Sequence, residues 1–511
     1  MNIRQALFVG LLLAAAGAFA QPRVVTSLGA VSGVSSDGVS VFKGLPYAAP
    51  PVGPLRWRPP QPAAPWAGTR AAERPGPACW QPAGRSLEGG GDVGPPSEDC
   101  LTLNVWVPEN RGSAPLPVMV WVHGGALVIG AGGLPIYDGA VLARRGVVVV
   151  TLNYRLGPLG FFVHPALERE VGGIKGAARA PANFGLLDQI AALRWVRDNI
   201  AAFGGDAQQV TVFGQSAGAQ SVLALMASPL AQGLFQRGIA QSPYGMPSHT
   251  REQARASGVR VASALGLPGA EASADALRAL PAEQLGRLDG KGLSLAPSFI
   301  VGDAAVPLPL LQAFQAQKQA RVPLVIGSNS DDGSVALAFG LKPDELVKQL
   351  GAARILLQPL YPGVKDPAEL ARQVVRDVAF TAYVRRMAVL HAAVAPTWRY
   401  QYTHVGRGID TPGATHGAEV PSVFGTADLC GCLPAAPSDT DRAVFGRVIE
   451  RWTRFARGGS PDAAGQPAWP QDNRRAQALL EIGADDHVRQ PFHARRLDTL
   501  ILGLKLLTPA R

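Results

Sequence analysis

The stretch QVTVFGQSAGAQSV, residues 209–222, decides the fold. Val210, Thr211, Val212 and Phe213 are β-branched or aromatic and read as a strand. The Ala/Leu-rich stretch from Ala217 to about Ser228 reads as a helix. Between them stands Gly214-Gln215-Ser216-Ala217-Gly218, a G-x-S-x-G pattern with a strand ending at Phe213 and a helix beginning just after Ala217. Such a sharp turn needs small residues beside the serine, because a larger side chain would collide with the neighbouring strand, and it leaves Oγ exposed above a sheet. Five-residue patterns arise by accident, but strand, elbow and helix in this order make accident the weaker reading.

Working outward, VMVWVH (118–123) and VVVVTLNY (147–154) are nearly continuous apolar runs, as strands buried on both faces should be. Between 183 and 203, Leu186, Leu187, Ile190, Leu193, Val196, Ile200 and Phe203 recur at three- and four-residue intervals, and Gly204-Gly205-Asp206 stops the pattern, which predicts an amphipathic helix. Further strands are expected at PLVIG (323–327) and WRYQYTHV (398–405), and a helix near 441–457. Alternating strands and helices imply an α/β fold with a large, mainly parallel sheet covered on both faces. The chain has 511 residues, 47% hydrophobic and 17% charged, which excludes a disordered chain, a coiled coil or a minimal binding module. Pro/Gly-rich stretches at 44–66 and 81–96 read as long surface loops, and nothing resembles a repeat or a linker between independent domains.

Residues 1–20, MNIRQALFVGLLLAAAGAFA, combine an early Arg4, an apolar run and Ala18-Phe19-Ala20, the pattern of a signal peptide cleaved after Ala20. The expectation is an exported protein, secreted or periplasmic, with residues 21–511 forming one domain. No later stretch is long and apolar enough to span a bilayer, so stable membrane insertion is not expected. The formal charge of +10 is spread in pairs such as Arg144-Arg145 and Arg495-Arg496 rather than gathered in one stripe, which argues against a nucleic-acid partner. Of the four cysteines, Cys79 and Cys100 close a Gly/Pro-rich loop and are the favoured disulfide, a link worth ~3 kcal/mol in the chain-entropy model. Cys430 and Cys432 form a C-x-C that reads as a tight disulfide, a free pair or half a metal site. No second cysteine pair or nearby histidine completes a zinc set, so no metal is expected.

A serine hydroxyl is a weak nucleophile, so Ser216 needs a base, and the base needs an orienting carboxylate. On a strand–elbow–helix scaffold these follow in the order serine, acid, histidine. Of the six histidines downstream, His249, His391, His404, His416, His487 and His493, His416 sits in the Gly-flanked GATHGAEVPSVFG just after a strand. His391 lies in a helical run and His404 within a strand, so His416 is the candidate base. GSNSDDGS (327–334) follows PLVIG and offers Asp331 and Asp332 at a strand's C-terminal end, where catalytic groups of open α/β sheets gather. In WVHGGALVIG (121–130), Gly124, Gly125 and Ala126 can turn backbone N–H groups toward a developing oxyanion, and the N–H of Ala217 completes the set.

On these residues the chain resembles the type B carboxylesterase and cholinesterase-like family of α/β-hydrolases. The similarity runs through FKGLPYAAPPVGPLRWRPP (42–60), SEDCLTLNVWVP (97–108), HGGA, NYRLGPLGF, the long segment 182–222, THGAEVPSVFG and RWTRFARGGSPD (451–462). The resemblance implies Ser216 as nucleophile, His416 as base, and Asp332 in place of the family's usual glutamate, with Asp331 and Glu419 as alternatives. It also implies an oxyanion hole from Gly125, Ala126 and Ala217 with Gly124 supporting the turn, and the family's first loop disulfide at Cys79–Cys100. Arg155, Glu98 and Asp99 are implied as structural ion pairs.

Two departures bear on substrate. Residue 215 is Gln where many members carry Glu, and the one Trp between the first two cysteines, Trp80, lies directly beside Cys79, which disfavours choline esters. The expected activity is hydrolysis of small-molecule carboxylic esters through an acyl-enzyme, without a cofactor. The rival readings are a non-catalytic binding protein on the same fold, or a hydrolase of a lactone, carbamate, amide or polyester.

Overall fold

The computed structural model describes residues 21–81, 92–172, 180–245, 248–286, 288, 298–338, 342–351, 353–473 and 477–507. The signal peptide expected at residues 1–20 and part of the 79–100 loop lie outside these. Eleven strands form the main sheet: β1 (Val34–Ser36), β2 (Val39–Pro46), β3 (Thr102–Pro108), β4 (Leu116–Val122), β5 (Val148–Leu152), β6 (Gly205–Gln215), β7 (Arg237–Gln241), β8 (Leu324–Asn329), β9 (Thr397–Tyr402), β10 (Leu479–Ile482) and β11 (His487–Arg489). Their spatial order is β11-β10-β9-β8-β7-β6-β4-β5-β3-β2-β1. The pairings from β5 through β4, β6, β7, β8 and β9 to β10 are parallel, and antiparallel strands close both edges. This is the α/β-hydrolase fold.

Strand β4 shows why the sheet is covered on both faces. Val118, Val120 and Val122 enter one core with Leu186, Ile190, Leu193 and Val196 of helix α1 (Phe184–Asn199). Met119 and Trp121 enter the opposite core with Phe424 and with Val444, Val448, Trp452 and Phe455 of a long later helix, Asp439–Gly458. Successive side chains of a strand point to opposite faces, so a run apolar at every position requires a partner layer on each side. Helix α1 continues as one 3₁₀ turn, Ile200–Phe203, and stops at Gly204, whose φ of +79° supplies the left-handed cap. Helix α2 (Ala217–Ala227) begins directly after Ser216.

The structure corrects several local expectations. β6 runs to Gln215 rather than Phe213, so the elbow is tighter than the sequence implied. β9 ends at Tyr402, and His404 lies beyond it, 2.7 Å from the Asp441 carboxylate that caps the Asp439–Gly458 helix. β1, β2 and the small three-stranded sheet of Arg23–Thr26, Gly29–Ser32 and Thr69–Ala71 had no clear signal. β1 and the strands of the small sheet are only three or four residues long, and β2, though it buries Val39, Val41, Phe42 and Leu45, is interrupted by Ser40 and Gly44, so none shows the apolar run of a central strand. The expected ion pairs also regroup: Arg155 holds Asp188, Glu98 holds Arg56, and the exposed Asp99 belongs to neither pair.

Cys79 is bonded to Cys100, and Cys430 to Cys432 across Gly431. Among the described residues no helix is long and apolar enough to cross a membrane.

Candidate active site

Ser216 occupies the elbow with φ 57° and ψ −120°, a backbone conformation that costs an L residue ~1–3 kcal/mol. The flanking glycines permit it. A Cβ on Gly218 would lie 2.0 Å from the Val122 carbonyl oxygen, and one on Gly214 would lie 2.6 Å from the Gly218 carbonyl carbon. The chain therefore turns hard against the end of β4, and only hydrogen fits at either position. The Ser216 N–H donates to Gln241 O at 2.8 Å, tying the elbow to the end of β7.

His416 and Asp332 meet above the same sheet end. Asp332 follows β8, and its Oδ1 lies 2.7 Å from His416 Nδ1. Its Oδ2 accepts from the Asn329 N–H at 2.6 Å and the Ser242 hydroxyl at 3.0 Å, so the carboxylate is held at both oxygens. The His416 main-chain N–H donates to Ser334 Oγ at 3.0 Å, and the Phe380 ring lies 5.0 Å from the imidazole. With Nδ1–H donated to the carboxylate, Nε2 carries the lone pair. The Gln215 amide donates to that nitrogen at 3.2 Å.

The other acids point elsewhere. Asp331 turns to Arg372, and burial pushes its carboxyl up to about 6 despite that partner. Glu419 is buried behind Asp332, accepting from Gln241 Nε2 at 3.2 Å and from Asn329 Nδ2. Burial, and after it the neighbouring Asp332 charge, hold its carboxyl above the usual range. His391 is buried and bonded to Val322 O at 2.8 Å.

The Gly-rich turn after β4 lies against the elbow. Gly125 has φ +103°, and Ala126 and Leu127 have φ 52° and 61°, a left-handed run that side chains resist. It is held by the N–H groups of Val128 and Ile129, both donating to Gly125 O. A Cβ on Gly124 would lie 2.8 Å from the Gln215 carbonyl oxygen and 3.3 Å from Ser216 Cβ. Beneath the turn, His123 Nδ1–H donates to Gly124 O at 2.8 Å while its ring stacks on Tyr154, centroids 4.4 Å apart. Burial lowers the His123 pKa to about 4, so the ring is neutral.

Sequence reasoning did not single out His123, Gln81, Ser242 or Asn329. Gln81 bonds Gly130 at the far end of the Gly-rich turn, and Ser242 and Asn329 hold Asp332. His123 and Asn329 lie within expected motifs and Gln81 beside one, where polar residues carry no pattern of their own, while Ser242 follows β7, a strand that the sequence reading did not mark. Trp80 packs instead into a side cluster with Leu159 and Phe162.

Against known proteins, the carboxylesterase-family profile matches residues 20–356 and 363–500. The chain is 37% identical over 488 residues to the fumonisin B1 esterase of Sphingopyxis macrogoltabida, covering 90% of this chain and 86% of that one. It is 35% identical over 490 residues to the para-nitrobenzyl esterase of Bacillus subtilis, covering 89% and 94%. The crystal structure of a Geobacillus stearothermophilus carboxylesterase superposes with a TM-score of 0.82 at 32% identity, covering 94% of this chain and 99% of that one. The chain belongs to the carboxylesterase family, the type B carboxylesterase and cholinesterase-like group of α/β-hydrolases, and is a carboxylic ester hydrolase.

Proposed function

We propose that the chain is an exported serine carboxylesterase acting on small-molecule esters through Ser216, His416 and Asp332. The observation that carries this reading is the 2.7 Å contact between His416 Nδ1 and Asp332 Oδ1, beside an elbow that presents Ser216. Ser216 Oγ bonds to the ester carbonyl carbon as His416 Nε2 takes its proton. The tetrahedral intermediate then expels the alcohol, which leaves with that proton. Water attacks the acyl-enzyme by the same route, releasing the carboxylic acid and restoring Ser216. Asp332 keeps the imidazole in the productive tautomer and stabilises its charge.

The N–H groups of Gly125, Ala126 and Ala217 serve as the oxyanion hole, with Gly124 supporting the turn. Ala217 opens helix α2, whose N-terminus adds positive potential where charge develops. The small residues of the turn leave room for crowded alcohols, in keeping with relatives named for fumonisin B1 and para-nitrobenzyl esters. A neutral Gln215 and the packing of Trp80 into the side cluster with Leu159 and Phe162 disfavour cationic choline esters.

Export rests on the leader expected to be cleaved after Ala20 and on the Cys79–Cys100 disulfide, since disulfides persist in oxidising compartments. One continuous main sheet and a family match to residue 500 support a single domain after the leader. The test is hydrolysis of p-nitrophenyl esters from acetate to decanoate by the mature protein beside Ser216→Ala. Turnover abolished by the substitution is expected; no turnover by folded wild type would overturn the reading.

A further inference from the structure

We infer that Arg376 is a positioning residue for the Asp332–His416 pair: its one guanidinium ties the turn that carries the acid to the π-helical turn that seats a ring against the base. This rests on the serine-esterase reading above, and it concerns a side chain that hydrogen-bonds to neither member of the pair.

The helix Pro367–Arg376 runs directly into a π-helical turn, Asp377–Thr381. The helix packs on the acid's turn. A Cβ on Gly333, the residue after Asp332, would lie 2.4 Å from the Arg372 carbonyl oxygen and 3.3 Å from the Arg376 main-chain nitrogen, so backbone meets backbone there. The π-helical turn packs on the base. Its Phe380 ring lies 5.0 Å from the His416 imidazole, and its Ala379 carbonyl accepts from the Gly245 N–H at 2.7 Å. Such turns are rare and occur frequently at functional sites.

Arg376 spans this junction. Its Nε and Nη2 donate to the two Asp377 carboxylate oxygens at 2.7 and 3.1 Å, and its Nη1 donates to the carbonyl of Ser330, two residues before Asp332, at 3.2 Å. Asp377 has a second cation in Arg496 of the helix Ala494–Leu507, whose Nε lies 3.0 Å from Oδ2, so the bond to Ser330 is what Arg376 alone adds. Ser330 Oγ in turn accepts from the Ala414 N–H at 2.9 Å, which ties the same turn to the loop leading into His416. A planar guanidinium with five donors in a fixed fork holds a carboxylate and a carbonyl at once, whereas a lysine ammonium is a point charge on a flexible stem.

His416 itself distinguishes positioning from charge. An Asp332 carboxylate held against Nδ1 favours imidazolium, so a loosened turn lowers the histidine's pKa and moves the acid limb of kcat/KM to lower pH. Loss of a cation acting only through space favours imidazolium and moves the limb upward. The titratable groups facing His416 are Asp332 and, behind it, Glu419. Those around Arg376 are Asp331, Asp377, Tyr361, His493 and Arg496.

The test is the pH profile of kcat and KM for p-nitrophenyl butyrate, using the mature protein with Arg376→Met, Arg376→Lys and Arg496→Met beside wild type and Ser216→Ala. Arg376→Met is expected to lower kcat about tenfold or more with KM within about twofold, and to move the acid limb down by about half a pH unit or more. Arg376→Lys, which keeps the charge but not the fork, is expected to act in the same direction, and it decides the matter if Arg376→Met does not fold. Arg496→Met, which takes a cation from the same carboxylate but nothing from Ser330, is expected to leave the limb in place; Arg496→Gln replaces it if it does not fold. Active wild type and dead Ser216→Ala, with folded Arg376 variants whose limb stays in place or moves upward, or with an Arg496 variant that shifts it equally, would overturn this inference and leave the esterase reading standing. Inactive wild type, or an active Ser216→Ala, would remove the esterase reading and this inference with it.

Discussion

Gln81 and Gly130 exchange hydrogen bonds in both directions: Gln81 Nε2 donates to Gly130 O at 2.9 Å, and the Gly130 N–H donates to Gln81 Oε1 at 2.8 Å. Gln81 also donates to Cys79 O at 3.0 Å, so the disulfide-closed loop grips the far end of the turn that begins at Gly124. At Gly130 only glycine fits, with φ +115° and a virtual Cβ 2.4 Å from His123 Nδ1. The proposed oxyanion hole is thereby braced from two sides, by His123 at Gly124 and by Gln81 at Gly130.

Gln81→Leu removes that brace while keeping the volume. The expected outcome is a fall in kcat of about 10²-fold with KM within about twofold, comparable to losing one oxyanion donor. Steady-state kinetics with p-nitrophenyl butyrate, alongside a thermal melt, checks it. Equal losses in kcat and in folded fraction would mean the residue matters only for stability.

Asp332→Asn tests the carboxylate itself. Asn329 N–H and the Ser242 hydroxyl hold Oδ2, so the substitution leaves the geometry nearly intact but removes the charge and can present an N–H to His416 Nδ1. The wrong imidazole tautomer results, and kcat is expected to drop by about 10³–10⁴-fold. Asp331→Asn, whose carboxylate faces Arg372, is expected to stay within about tenfold of wild type in the same assay.

Gly218→Ala should destabilise the protein by about 3 kcal/mol or more, because the added methyl meets the Val122 carbonyl at 2.0 Å and backbone on both sides cannot give way. Urea denaturation measures it. A loss under about 1 kcal/mol would show that β4 and the elbow can separate.

Acid should weaken the fold through His123. Its pKa is lowered to about 4 in the native state by burial, against about 6.5 in the unfolded chain. Above pH 6.5 both states are neutral and its contribution is full. As pH falls from 6.5 toward 4 the unfolded chain takes up a proton that the native state refuses, and up to about 3 kcal/mol is lost from this one group. Denaturation midpoints between pH 7 and 4, in wild type and His123→Gln, check the slope, which should be shallower in the variant.

Much of the site was legible because its signals are local. The G-x-S-x-G elbow, the Gly-rich turn and the loop carrying His416 each show in a few consecutive residues why they turn where they do. The two-faced burial of β4 and β5 shows in their unbroken apolar runs. Glycine carries this information well: at Gly214 and Gly218 the absent side chain reports a neighbour that sequence alone never names. The edge strand β1 was not legible, being three residues with two exposed serines, nor was its neighbour β2, whose buried Val39, Val41, Phe42 and Leu45 are separated by Ser40, Lys43 and Gly44 and so make no continuous apolar run.

By itself the sequence determined the alternation of strands and helices, the elbow at Ser216 and the candidates His416, Asp331 and Asp332, which follow from periodicity and turn chemistry within short windows, while Glu419 entered as an alternative through the family resemblance. Only the tertiary structure decided which carboxylate faces the imidazole. Asp331 and Asp332 are adjacent, and the turn after β8 sends one toward Arg372 and the other toward His416, 84 residues away. It also decided that Arg155 pairs with Asp188, that Gln81 holds Gly130, and that Gln215 reaches His416. Such partners are chosen by how strands register and how loops cross the sheet end, distances between residues far apart in the chain that no local pattern encodes.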